Sequence, residues 1–248
     1  LHRALLPDYD GDRPRTRQNW LGGSDWHPLD AEFVPPPPEQ VGELLADLAA
    51  YASSGIHAPL VQAGLVHAQF ETIHPFADGN GRVGRALIHT VLARRGLVDA
   101  AVLPVSLVLL TRSNDYIAGL TAYRYEGPAD SAAARTGVSA WLGVFLDAVA
   151  VAVEQATRFA EEIAELKESW EARLAGHRSQ AGTRGRPRAD STVARLLGEL
   201  PGTPLVTAAS AARLLSISPK AAKVAIDELA AAGIIHPKKI GRGGTGYL

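Results

Sequence analysis

The segment His67–Arg85, HAQFETIHPFADGNGRVGR, constrains the fold more than any other part of the chain. Apolar residues at helical spacing run up to His74, and Pro75 disfavours helical geometry in the residue before it, so a helix should end there. Two glycines and an asparagine within Pro75–Gly81 allow tight turns and a close approach of the backbone to a ligand. A new helix is predicted to begin near Arg82. The sequence therefore predicts a helix, a short loop and a second helix.

This loop has the chemistry of a site for nucleotide phosphates. The free N–H groups and the positive dipole end of the second helix would face it and favour anions. Arg82 and Arg85 are three residues apart, so both can project from the first turn toward phosphate oxygens. Asp78 would repel phosphates unless it holds a Mg²⁺ ion that bridges them. With His74 as a general base, the combination favours phosphoryl or nucleotidyl transfer.

The residues His74–Arg85 match the pattern HPFx(D/E)GNGRxxR at every specified position, and on them the chain resembles the Fic (Fic/DOC) family. Further similarity lies in RQNWLGG, FVPPPP and HAQFETIHPF, and we expect it to cover residues 1–175. The resemblance implies a mainly α fold: a Fic-type helical core with a small β-hairpin flap at about 17–33 and the signature loop at 74–85. It implies an enzyme that transfers AMP from ATP to a Ser, Thr or Tyr hydroxyl of a target protein.

The resemblance also assigns roles to individual residues. His74 would deprotonate the target hydroxyl, which then attacks the α-phosphate, and Asp78 would hold Mg²⁺. The residues that would bind the nucleotide phosphates are Gly79, Asn80, Gly81, Arg82 and Arg85. Family members with lysine in place of Gly81 can phosphorylate their targets, so the glycine favours AMP transfer. Related sequences often carry a Tyr-Tyr pair near the nucleotide base, where this chain has Tyr116 and Ile117.

Helical spacing of apolar residues predicts helices at 39–51, 60–73, 83–95, 113–123 and 138–175. Gly96 is expected to end the third of these. The four prolines before the first one should form a stiff extended connector. The chain contains no cysteine, so disulfides and thiolate metal sites are excluded. We expect no membrane span and a cytoplasmic protein.

Charge divides the chain into two parts. Residues 1–175 carry 14 Lys and Arg against 22 Asp and Glu, whereas residues 176–248 carry 11 against 4. Such asymmetry indicates modules with different partners. The Gly- and Arg-rich stretch 176–189 is predicted to be a linker. Residues 190–248 then resemble a winged helix-turn-helix domain, with helices at 210–215 and 220–232 and a glycine-rich hairpin.

The basic C-terminal module leaves a second function open. DNA or a protein partner could be contacted by Lys220, Lys223, Lys238, Lys239 and Arg242. Appended modules of this kind also bind proteins or form homodimers. The alternatives to AMP transfer are therefore a DNA-binding transcriptional regulator whose core senses nucleotide, and de-AMPylation, which the same loop can support.

Overall fold

The computed structural model describes residues 1–7, 13–98, 102–183, 185–240 and 244–248, without the side chains of residues 240 and 244. Two compact units are present, Leu1–Ala156 and Thr157–Leu248. The helices are α1 His2–Leu5, α2 Pro38–Ser53, α3 Pro59–Ile73, α4 Asn80–Arg94, α5 Val105–Thr111, α6 Ser113–Tyr123, α7 Ala132–Gln180, α8 Thr192–Glu199, α9 Ala208–Leu215 and α10 Pro219–Ala231. A 3₁₀ turn, Leu200–Gly202, follows α8, and the strands are β1 Pro237–Ile240 and β2 Gly244–Tyr247. The prediction of a mainly helical protein is confirmed.

Helix α3 lies at the centre of the first unit. It packs against α2, α4 and α6, and Val66, Phe70 and Ile73 are buried on it. The first part of α7 completes this core, because the Trp141 indole is fully buried and donates a hydrogen bond of 2.8 Å to the Gly64 carbonyl. The centre of the core thus fixes the C-terminal end of α3, where the signature loop begins.

By length and composition alone, α7 could cross a membrane, although we expected no membrane span. A third of the most apolar 18-residue stretch of α7 is buried inside the protein. Trp141, Phe145, Ala148 and Ala152 recur at helical spacing and are all in the core of the first unit. We interpret the apolar composition of α7 as core packing.

Close packing of α6 and α7 depends on Gly137. A β-carbon on this residue would lie 2.1 Å from the carbonyl oxygen of Ala122, which is backbone and cannot rotate away. We expect Gly137→Ala to lower the free energy of unfolding by roughly 1–3 kcal/mol. Gly143→Ala, on the same helix but with open space around its β-carbon, should instead gain up to about 1 kcal/mol from helix propensity. Chemical unfolding of both variants measures the difference, and equal effects would contradict the packing argument.

The second unit has its own core, to which the last part of α7 contributes. Leu174, Leu196, Ile226 and Leu229 are fully buried together. The helices begin at capped residues: Ser191 and Ser218 accept hydrogen bonds from the first turns of α8 and α10, and Thr207 forms a capping box at α9. Strands β1 and β2 pair antiparallel, and Val206 adds a bridge to Tyr247.

The boundary between the units differs from the prediction. We expected a linker at 176–189, but α7 continues through Gly176 to Gln180, and the compact units divide between Ala156 and Thr157. A single glycine costs a helix only about 1 kcal/mol. Burial of Leu174 in the core of the second unit offsets that cost and keeps α7 helical. The linker was predicted from composition, which does not register this burial.

The segment 17–33 forms a loop where we expected a hairpin. Among the described residues of this segment, a single antiparallel bridge joins Leu21 and Phe33. Gly22 and Gly23 have positive φ and directly follow the bridge, so they bend the chain out of the pairing instead of turning a two-residue hairpin. Pro28 and the prolines after Val34 lack the N–H groups that a longer ladder needs. We refer to residues 17–33 as the flap loop.

Candidate active site

The backbone at His74 is held in an uncommon conformation. Helix α3 ends at Ile73, and His74 follows with φ 48° and ψ 60°, the left-handed region that costs a non-glycine residue about 1 kcal/mol or more. The buried Arg15 compensates, because its Nε donates to the His74 carbonyl at 3.0 Å and its backbone N–H donates to the Pro75 carbonyl at 2.8 Å. This geometry turns the chain sharply from α3 into the signature loop.

The loop after His74 is closed by Asn80. Its side-chain oxygen accepts from the Phe76 N–H at 2.8 Å, and its side-chain nitrogen donates to the Phe76 carbonyl at 2.7 Å. Asn80 is buried, and Phe76 packs against the core and against the His2 ring, 4.2 Å away between centroids. We expected Asn80 to orient the α-phosphate; here its amide is committed to the loop backbone, and the phosphate contact stays a prediction.

The imidazole of His74 presents two different nitrogens. Its Nδ1 faces the side-chain nitrogens of Asn19, at 2.9 Å, and Asn80, at 3.3 Å. Its Nε2 forms no hydrogen bond with the part of the chain that the structure describes. Burial, helped by Arg15 and Arg124, lowers the pKa of His74 to about 4. The ring is therefore neutral near pH 7, with Nε2 left for a substrate.

Helix α4 begins at Asn80, two residues earlier than predicted, because Gly79 adopts φ 84° and ends the loop there. The first-turn N–H groups and the positive dipole end of α4 therefore face the loop, as phosphate binding requires. Arg85 lies beside Gly81, since a β-carbon on Gly81 would be 2.9 Å from Nη1 of Arg85. The predicted phosphate-binding residues are thus brought together at one helix end.

Asp78 lies at the mouth of this loop with an exposed carboxylate. Its Oδ1 accepts from the Gly79 N–H at 2.6 Å, and its Oδ2 pairs with Arg82 at 3.0 Å. Among the described residues, no cluster of three or more His, Asp or Glu could hold a metal ion by itself. A single exposed carboxylate beside the predicted phosphate site nonetheless fits Mg²⁺, which is usually bound by one or two carboxylates, water and substrate phosphates.

A buried carboxyl group lies behind the loop. Glu71 on α3 is 6% exposed, and its Oε1 has no hydrogen-bond partner in the described structure. Burial raises the pKa of Glu71 to about 7, against the opposing charges of Arg85 and Arg124. Gly84 makes room for this group, because a β-carbon there would lie 2.1 Å from Oε1. The third unspecified position of the signature, directly before Arg85, therefore favours glycine in this chain.

Arg124, just after α6, is a site residue that the sequence analysis missed. Its guanidinium carbon lies 3.6 Å from the centroid of the Phe33 ring, and its Nη2 donates to the Glu71 carbonyl at 3.3 Å. The first contact is a cation–π interaction. Through the two contacts, Arg124 links Phe33, at the end of the flap loop, to Glu71, near the C-terminal end of α3. No local motif around Arg124 marks it, because its partners are far away in the sequence.

The aromatic residue expected near the nucleotide base points elsewhere. The Tyr116 hydroxyl lies 3.0 Å from Nε2 of His67, and both rings pack near Trp141 in the core. Burial raises the pKa of Tyr116. Ile117, in contrast, is 53% exposed. Tyr116 and His67 thus serve the core, and Ile117 is the residue of this pair that is open to a ligand.

The basic residues predicted for DNA or protein contact belong to the second unit. The exposed side chains are Lys220 and Lys223 on α10 and Lys238 and Lys239 on β1. Lys223 forms an ion pair with Asp227 and lies 5.7 Å from the centroid of the Tyr247 ring. Arg242 lies outside the described residues.

Comparison with known proteins finds similar sequences in the N-terminal part of the chain, which includes the loop. Residues 1–92 match the model of the Fic/DOC family, a shorter stretch than the 1–175 expected from the sequence. A probable protein adenylyltransferase of Aquifex aeolicus (strain VF5) is 39% identical over 79 residues, which are 32% of this chain and 25% of that protein. Protein adenylyltransferase fic-1 of Caenorhabditis elegans is 32% identical over 122 residues, 47% of this chain and 21% of that protein.

Protein adenylyltransferase Fic of Drosophila virilis is 37% identical over 103 residues, 39% of this chain and 19% of that protein. The matched segments thus span a quarter or less of these relatives. A solved Fic family protein from Desulfovibrio desulfuricans G20 aligns with 99% of this chain and 65% of its own, at 24% identity and a TM-score of 0.48. The match to the family model includes His74 and the whole loop after it.

Proposed function

We propose that this protein transfers AMP from ATP to a Ser, Thr or Tyr hydroxyl of a target protein. The observation that carries the proposal is the juxtaposition at one loop of a neutral His74, an exposed carboxylate on Asp78 and the N-terminal turn of α4. The names of the relatives support it, since they are protein adenylyltransferases that share this region.

In the proposed reaction, Nε2 of His74 accepts the proton of the target hydroxyl. The hydroxyl oxygen forms a bond to the α-phosphorus of ATP, the bond between the α-phosphorus and its bridging oxygen breaks, and pyrophosphate leaves. The backbone N–H groups of residues 80 and 81 and the guanidinium groups of Arg82 and Arg85 bind the phosphates and stabilise the departing charge, and the Gly79 N–H holds the Asp78 carboxylate. Asp78 would hold Mg²⁺, which supplies further charge neutralisation.

The flap loop supports the target segment in this proposal. Its bridge between Leu21 and Phe33 lies two residues from Asn19, whose side chain contacts His74. A target strand bound by backbone hydrogen bonds beside this bridge would bring a hydroxyl toward the histidine. Such docking depends little on the target sequence, so the target is identified by experiment.

The test compares two radiolabelled substrates. The purified protein is incubated with a cell lysate, Mg²⁺ and ATP that carries ³²P at either the α or the γ position. AMP transfer labels proteins from α-labelled ATP alone, whereas phosphoryl transfer labels them from γ-labelled ATP alone. Removal of Mg²⁺ with a chelator should abolish the label. Label from the γ position only, or none from the α position with an active target present, would overturn the proposal.

A second candidate function belongs to the unit Thr157–Leu248. We infer a winged helix-turn-helix for residues 190–248 from three helices, α8–α10, followed by the β1–β2 hairpin with its bridge to Val206. The specific observation in favour of DNA binding is that the lysines of α10 and of β1 are exposed. The unit could equally contact a protein or form a homodimer, and DNA binding by it would make the chain a regulator.

Salt-dependent binding separates these possibilities. The full chain is titrated onto duplex DNA at several salt concentrations, beside a variant with Lys220, Lys223, Lys238 and Lys239 replaced by glutamine. DNA binding predicts that log affinity falls linearly with log salt, with a slope that drops by up to about 4 in the variant. No binding at low salt would leave a protein partner or a homodimer, which light scattering tests. A cytoplasmic location, expected from the sequence, suits both the regulator and the enzyme, and we propose it for this protein.

A further inference from the structure

The flap loop places a second side-chain amide against the catalytic imidazole. Asn19 Nδ2 lies 2.9 Å from His74 Nδ1 and also donates to the Phe76 carbonyl at 3.1 Å. Its other amide atom, Oδ1, is buried and has no hydrogen-bond partner among the described residues. A buried amide oxygen without a partner costs free energy, and next to a catalytic group it calls for an explanation.

Proton transfer at His74 requires a particular tautomer. While Nδ1 accepts from Asn19, the single proton of the neutral ring resides on Nε2. Nε2 can accept the proton of a hydroxyl only when the ring proton is on Nδ1, which then has to donate to an oxygen. In histidine bases generally, the partner of the second nitrogen sets the tautomer.

Only one of the two neighbouring amides can supply that oxygen. Both amide atoms of Asn80 are already bonded to the Phe76 backbone. The oxygen of Asn19 is unused, and half a turn about the last side-chain bond of Asn19 exchanges its oxygen and nitrogen. The positive charges of Arg15 and Arg124, which act on the ring from two other segments of the unit, make an imidazolium without an acceptor especially unfavourable.

We propose that Asn19 is a positioning residue for the reaction: its amide turns so that Oδ1 accepts the hydrogen of His74 Nδ1. The turn frees Nε2 to take the proton of the target hydroxyl and stabilises the imidazolium that forms. The catalytic role rests on the proposed function. The hydrogen bond itself is measured in the protein without substrate.

The first test compares Asn19→Asp with Asn19→Ala. Aspartate keeps the acceptor beside Nδ1 but cannot donate to the Phe76 carbonyl, whereas alanine removes both. The proposal predicts that Asn19→Ala lowers kcat for AMP transfer about 10- to 100-fold with little change in KM for ATP, and that Asn19→Asp restores at least a tenth of the wild-type rate. A merely structural tie between the flap loop and Phe76 predicts that aspartate is no better than alanine, and that result would overturn the proposal.

The second test needs no activity. The ¹⁵N chemical shifts of the His74 ring report which nitrogen carries the proton. Asn19→Asp should move the neutral ring to the Nδ1–H tautomer and raise the pH at which the ring takes up its second proton. Asn114→Asp, the same change at an exposed residue of α6, is the matched control and should leave the tautomer unchanged. Identical His74 spectra in wild type, Asn19→Asp and Asn19→Ala would reject the inference even if AMP transfer is confirmed.

Discussion

Replacing His74 by alanine is expected to lower the rate of AMP transfer by about 10²- to 10⁴-fold, the usual contribution of a general base. The expected loss is attributed to Nε2, the ring nitrogen without a hydrogen-bond partner in the described structure. In the proposed reaction, this nitrogen accepts the proton of the target hydroxyl. The measurement is the initial rate of label incorporation from α-labelled ATP, made at saturating ATP with equal amounts of folded protein.

Two further variants make this result interpretable. His74→Gly also removes the base but relieves the left-handed backbone at φ 48°, so it should be at least as stable as His74→Ala and equally inactive. His57→Ala removes an exposed histidine that contacts Tyr51 and should retain the wild-type rate. A rate within threefold of wild type in either His74 variant would exclude this residue as the base.

A large stability effect that depends on pH is expected from Glu71→Gln. The folded state holds the pKa of Glu71 at about 7, above its ordinary value of 4.5, because burial disfavours the carboxylate. Between these two values the folded protein binds a proton that the unfolded chain has lost, so stability falls as the pH rises through this window. Above pH 7 the full cost, on the order of 3 kcal/mol, is present. Glutamine removes the charge and keeps the shape.

We therefore expect Glu71→Gln to raise the free energy of unfolding by roughly 1–3 kcal/mol at pH 8 and by less than about 1 kcal/mol at pH 5. Thermal unfolding at both pH values measures this as an increase in Tm of several degrees at pH 8 alone. Glu43→Gln, an exposed change on α2 in the same unit, should alter Tm little at either pH. A pH-independent effect of Glu71→Gln would show that the carboxyl is not buried in its neutral form.

The local features of the site follow from the sequence because they depend on neighbouring residues. Pro75 after His74 correctly predicted the end of α3, and Gly96, at φ 68°, ends α4 as expected. The loop between α3 and α4 follows from a short pattern for the same reason. The start of α4 was predicted two residues late, because the left-handed Gly79 caps the loop earlier than composition suggests.

What the sequence could not show are contacts between distant segments. Arg15, Asn19 and Arg124 reach the loop from parts of the chain that lie about 50 residues or more away, and tertiary packing alone brings them together. The burial of Glu71 was equally hidden, since a glutamate on a helix is mostly solvated. The course of α7 through Gly176 depends on Leu174 finding a core in the second unit.

The flap loop is attached to the rest of the first unit near its two ends, at Asn19 on one side and at Phe33 on the other. Its tip is free of that attachment, and Trp26 and Leu29 there are 90% and 85% exposed. Substitutions between residues 24 and 30 can therefore accumulate without moving His74. The exposed tip and the residues that hold His74 can therefore diverge separately in evolution.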